Sequence, residues 1–123
     1  MASHARILLV EDDSALRSAL AELLVERGFE VACAGDGREA LAALCGPVPS
    51  IILLDLAMPV MDGWAFRAEQ RRDPRLAGIP TVVLSATPAA DAHALDGFEP
   101  DAALSKPFDF DRLVETVHRL CAV

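Results

Sequence analysis

The chain has 123 residues, 53% of them hydrophobic and 24% charged, which suits one folding unit with a sizeable core and argues against disorder and against two domains. A net charge of −8 makes a nucleic-acid phosphate surface a poor direct partner. No apolar run approaches the length of a membrane span and no leader-type hydrophobic region is read after Met1, so the expectation is a soluble cytoplasmic protein with no membrane partner.

In chain order, "RILLV" (6–10) reads as a buried strand and ends in Glu11-Asp12-Asp13. Leu16, Leu20, Leu23 and Leu24 then repeat at helical spacing, and Gly28 is the expected C′ stop. "FEVAC" (29–33) alternates and suits an edge strand. "DGREALAAL" opens on Asp36 with Glu39 three residues on, a capping-box arrangement. "SIILL" (50–54) is a continuous apolar strand that runs into Asp55, and "GWAFRAEQRR" is a helix beyond it, with Asp62 as its expected cap and Trp64 and Phe66 read as core, a partner-facing position being the alternative. "PTVVL" (80–84) ends at Ser85. A helix is predicted over 87–97, with Thr87 as N-cap, Pro88 at the first position and Gly97 as stop. "AALS" (102–105) leads into Lys106, and "DFDRLVETVHRLC" is a helix capped by Asp109, with Phe110, Leu113, Val114, Val117, Leu120 and Cys121 on one face. Cys33, Cys45 and Cys121 fit no metal or redox spacing and are read as reduced thiols, while His4, His93 and His118 are read as surface residues.

Strands alternating with helices imply βα units and a parallel sheet covered on both faces. In such a sheet all strand C-termini share one edge, the edge where open α/β folds bind ligands. Glu11, Asp12, Asp55, Ser85 and Lys106 therefore converge there, although none of them helps the core. Clustered carboxylates repel unless a cation intervenes, and an oxygen-only donor set favours Mg²⁺, with Mn²⁺ as a substitute. Such an ion recruits phosphate oxygens, and a carboxylate can itself accept a phosphoryl group. Asp55 is accordingly read as a phosphoacceptor, with Lys106 and Ser85 sharing the charge on the transferring oxygens.

The motifs "ILLVEDD", "LLDLAMPVMDG", "VVLSA" and "LSKPF", in that order, resemble the receiver domain of bacterial two-component response regulators over about Arg6 to Cys121. The resemblance implies a flavodoxin-like, doubly wound (βα)5 three-layer sandwich with a five-stranded parallel sheet in order 2-1-3-4-5. It makes residues 1–123 a single receiver domain with its core at about 6–121. It assigns metal binding to Glu11, Asp12, Asp55 and the backbone carbonyl of Ala57, phosphoacceptance to Asp55, and phosphate contacts to Ser85 and Lys106. The bond from Lys106 to Pro107 is the one usually cis in the family. Asp13 is read instead as a helix cap, and Pro59 and Gly63 as turn residues. The implied role is a signalling switch, not an enzyme with an external substrate. A sensor histidine kinase or histidine phosphotransfer protein would act upstream and an unidentified protein downstream, the chain itself being a monomer or a weak phosphorylation-dependent dimer. A stand-alone regulator is the expectation, and the N-terminal receiver of a longer regulator is the alternative.

One position departs from the pattern. Where many receivers carry an aromatic residue three places before the lysine, this chain has Ala103, so output is expected through other movements, such as the loop at Ala86-Thr87. Two other classes are weaker. "AGDGREA" (34–40) fits G-x-G-x-x-A and would suit a dinucleotide-binding enzyme, yet it follows the second strand and sets Asp36 beside the pyrophosphate. An Asp-nucleophile phosphatase needs a second Asp two residues after the first, and that position is Ala57.

Overall fold

The computed structural model describes residues 5–55, 63–85, 101–105 and 109–121. Within them lie β1 (Arg6–Val10), α1 (Ser14–Glu26), β2 (Glu30–Ala34), α2 (Gly37–Ala43) and β3 (Ile51–Asp55). These are followed by α3 (Gly63–Arg72), the one-turn α4 (Pro74–Ala77), β4 (Thr81–Ser85), β5 (Ala102–Ser105) and α5 (Phe110–Leu120). The strands form one parallel sheet in the order β2-β1-β3-β4-β5, the order implied by the resemblance, with β2 at an edge as its alternation suggested. The helix expected over 87–97 lies outside the described residues.

Strand alternation sorts the core into two layers. Leu8, Val10, Ile52, Leu54 and Val83 face one side with Ala40 and Leu44 of the α2 region, Phe66 of α3 and Leu76 of α4. Ile7, Leu9, Ile51, Leu53, Val82 and Leu84 face the other, against Leu20 and Leu24 of α1 and Leu113, Val114 and Val117 of α5. Burial on both faces explains why β1, β3 and β4 are continuous aliphatic runs, each buried Leu or Ile contributing about 1.5–3 kcal/mol. Leu23, placed on the apolar stripe of α1 by its spacing, is instead 40% exposed, because the packed stripe is narrower than the leucine pattern.

Local chemistry fixes where α1 starts and stops. The Asp13 carboxylate accepts from the amides of Ala15 (3.0 Å) and Leu16 (3.1 Å), the capping role expected of it. At the other end Gly28 adopts φ +94°, its amide donates to Val25 O and the Phe29 amide donates to Leu24 O. That pair of bonds is a Schellman motif, and it turns the chain into β2. Arg27 then ties α1 to α5: its guanidinium lies 5.2 Å from the Phe110 ring centroid and 3.1 Å from Asp111. Asp109 caps α5 through the Asp111 amide, as expected.

A polar patch interrupts the α3–β4 layer. Arg67, Gln70 and Thr81 are buried, and the Arg67 guanidinium donates to Gln70 Oε1 (3.0 Å) and Thr81 Oγ1 (2.9 Å). Gln70 Nε2 donates onward to the carbonyls of Leu76 (2.9 Å) and Ile79 (3.4 Å), which pins α4 and the entry to β4. Among the described residues no buried side-chain nitrogen or oxygen lacks a hydrogen-bond partner. None of their helices is long and apolar enough to cross a membrane.

Candidate phosphoacceptor site

The sheet register assembles the site. Val10 pairs with Leu54 and Asp55 with Leu84, so Glu11 follows β1 at the level where Asp55 closes β3, and Ser85 ends β4 beside Ser105. β1 and β3 are neighbours, which brings the acids together without any long side chain having to reach. Carboxylate oxygens of Glu11, Asp12 and Asp55 all lie within 4.8 Å of one another. Glu11 is 1% exposed and Asp55 5%, whereas Asp12 is exposed, so two buried acids sit beneath a third that faces solvent.

The loop carrying Glu11 and Asp12 is held by its own polar groups. The Glu11 amide donates to Ala34 O (3.0 Å), extending the β1–β2 ladder one step past the strand. Glu11 Oε2 accepts from the Asp13 amide (3.2 Å), and its carbonyl accepts from Arg17 Nη1 (2.7 Å). The buried position of Glu11 and the bond from Arg17 were not foreseen from the sequence; the only signal for the latter was an Arg on the first turn of a helix behind an acidic loop.

Of the other residues expected at the site, Ser85 is brought to this edge by the backbone of β4, and its hydroxyl lies outside what is described. Lys106, Pro107, Ala57, Pro59, Asp62, Ala86 and Thr87 lie outside the described residues, as do His4, His93 and the side chain of Trp64. Ala103, the departure from the aromatic pattern, is exposed on β5. Phe66 is fully buried, and His118, on the exposed side of α5, packs against Phe29 with ring centroids 5.3 Å apart.

The donor set fits a hard divalent cation. It is three carboxylates with no sulfur or imidazole among them, and close carboxylates of this kind are stabilised by a positive charge between them. The three cysteines are free; burial pushes the Cys33 and Cys121 thiols up, Arg17 drawing Cys33 partly back. The glycine segment after β2 turns two of its backbone donors to acids of the chain itself, where a dinucleotide site would turn them to a pyrophosphate. Asp36 Oδ1 accepts from the Glu39 amide (2.9 Å) and Glu39 Oε1 from the Gly35 amide (2.8 Å), so acids of the chain itself hold those donors.

Comparison with known proteins agrees with this architecture. The response regulator receiver domain family matches residues 7–118. Response regulator Rre1 of Synechocystis is 34% identical over 125 residues, covering 99% of this chain and 54% of that protein, so the chain spans about half the length of this curated relative. Among solved structures, the receiver domain of sensor histidine kinase PA1611 of Pseudomonas aeruginosa, described with a magnesium ion coordinated in its active-site cleft, superposes with a TM-score of 0.90 at 25% identity, covering 98% of this chain and all of that one. The response regulator TrrA of Thermotoga maritima, in complex with Mg²⁺ and BeF, superposes with a TM-score of 0.82 at 30% identity, covering 94% and 98%.

Proposed function

Because the chain belongs to the response regulator receiver domain family, we propose that residues 1–123 act as a single receiver module whose phosphoacceptor is Asp55. The observation that carries this reading is the convergence of Glu11, Asp12 and Asp55 within 4.8 Å at the C-terminal edge of the parallel sheet. One carboxylate oxygen of Asp55 attacks the phosphorus of a phosphohistidine; the new O–P bond forms as the N–P bond breaks, and the electron pair returns to the imidazole nitrogen. Glu11, Asp12, Asp55 and the Ala57 carbonyl would hold Mg²⁺, which when bound would supply positive charge to the phosphoryl transfer. Mn²⁺ can replace it. Lys106 and Ser85 take the remaining charge.

The upstream partner is a sensor histidine kinase or a histidine phosphotransfer protein, and the downstream partner is a protein, met in the cytoplasm by a monomer or a weak phosphorylation-dependent dimer. No external substrate is turned over. With Ala103 in place of an aromatic residue, no ring at that position reports the phosphate, and the signal leaves through the segment after β4. The test is mass spectrometry after incubation with acetyl phosphate and Mg²⁺. The parent is expected to gain one phosphoryl group, and both EDTA and Asp55→Asn to abolish the gain; an equal gain in Asp55→Asn would defeat the assignment.

A further inference from the structure

The geometry points to Arg17 as a positioning residue of the acidic site, one that aims Asp12 through the backbone; this rests on the reading of the site given above. Glu11 is the first residue beyond β1. Arg17 Nη1 takes the Glu11 carbonyl at 2.7 Å from the first turns of α1. On the other side of Asp12, the Asp13 amide is held by Glu11 Oε2, its carboxylate caps α1, and its carbonyl accepts from the Arg17 amide (2.8 Å). Arg17 thus closes the loop twice, by backbone and by guanidinium, and the guanidinium fixes the plane of the Glu11–Asp12 peptide. Asp12 is exposed, and the orientation of the backbone on either side of it contributes to keeping its carboxylate within reach of Asp55.

The neighbouring loop leaves room for this clamp. A Cβ placed on Gly35 would stand 3.3 Å from Arg17 Nη1, and no positive φ requires glycine there. A side chain at this position would press on the guanidinium and would also meet Glu39 Oε1 at 3.5 Å.

Two effects of opposite sign follow from removing Arg17. Loss of a positive charge beside three carboxylates favours cation binding, while loss of the clamp lets Asp12 swing away and disfavours it. The clamp dominates if Arg17 is a positioning residue. The experiment compares the parent with Arg17→Met, which keeps the stem and loses the donor and charge, and with Arg17→Lys, which keeps both charge and a single donor. Calorimetric titration with Mg²⁺ should show Arg17→Met binding about 10-fold more weakly, the low end for loss of a supporting partner, with Arg17→Lys recovering most of the affinity. Backbone ¹⁵N relaxation of the metal-free proteins should show the Asp12 order parameter falling from about 0.85 to below about 0.6 in Arg17→Met and staying high in Arg17→Lys.

Unchanged or tighter Mg²⁺ binding by Arg17→Met, or an Asp12 amide as rigid as in the parent, would overturn the inference. A parent that binds no Mg²⁺ would instead break the reading of the site, and the relaxation data would still decide the clamp.

Discussion

Gln70 is fully buried and makes bonds to three partners, accepting from Arg67 and donating to the carbonyls of Leu76 and Ile79. Gln70→Leu fills much the same volume but removes three buried hydrogen bonds, leaving Arg67 with Thr81 Oγ1, the Leu76 carbonyl with the Ile79 amide and the Ile79 carbonyl with Thr81 Oγ1. Each hydrogen bond contributes about 0.5–1.5 kcal/mol net, so loss of the three is expected to destabilise the protein by about 2–4 kcal/mol. Urea unfolding would register this as a lower midpoint at unchanged slope, and a midpoint equal to the parent's would show that the patch contributes nothing. Nothing in "GWAFRAEQRR" announced that Arg67 and Gln70 face the core, because an arginine and a glutamine on an amphipathic helix ordinarily mark its wet side. Asp55 was legible for the opposite reason: a carboxylate closing a run of four aliphatic residues has no structural use. The burial of Glu11 was not legible, since it depends on the β1–β2 ladder continuing one bond past β1.

At the scale of elements, α1 shows how far punctuation residues carry an expectation. Gly28 marked its end in the sequence, and the φ of +94° with the two Schellman bonds is the physical content of that mark. Gly28→Ala meets no atom within 4 Å, so its cost is purely conformational, about 1–2 kcal/mol from the left-handed backbone. Thermal unfolding would show it as a lowered Tm, whereas an unchanged Tm would mean that the turn relaxes freely. The capping box at Asp36 and Glu39 was legible in outline only, since Glu39 reaches past Asp36 to the amide of Gly35. The one-turn α4 was missed: four residues are too few for periodicity, and its only signal was Asp73 before Pro74, where Asp73 accepts from the Arg75 amide. β2, β3 and β4 each begin and end one residue later than expected, because apolar runs do not reveal where ladder bonds start.

For the whole molecule, the order β2-β1-β3-β4-β5 puts the two strands with acidic ends side by side near the centre of the sheet, and the site follows from topology more than from any single loop. A cation bound there stabilises the folded state by mass action, by about 2.7 kcal/mol at a concentration of 100 Kd, a rise in Tm of about 10 °C for a domain of this size. Mg²⁺ should raise the Tm of the parent by this order and that of Asp55→Asn by much less; an equal rise in both would place the cation elsewhere. The most direct test of the central assignment is chemical. The protein is treated with acetyl phosphate and Mg²⁺, any acyl phosphate is reduced with borohydride, and the reduced position is found by peptide mass spectrometry. Reduction at Asp55 alone, lost when EDTA is present, is the predicted result. Reduction at Glu11 or Asp12, or at no carboxylate of the folded protein with Mg²⁺ bound, would contradict the phosphoacceptor role.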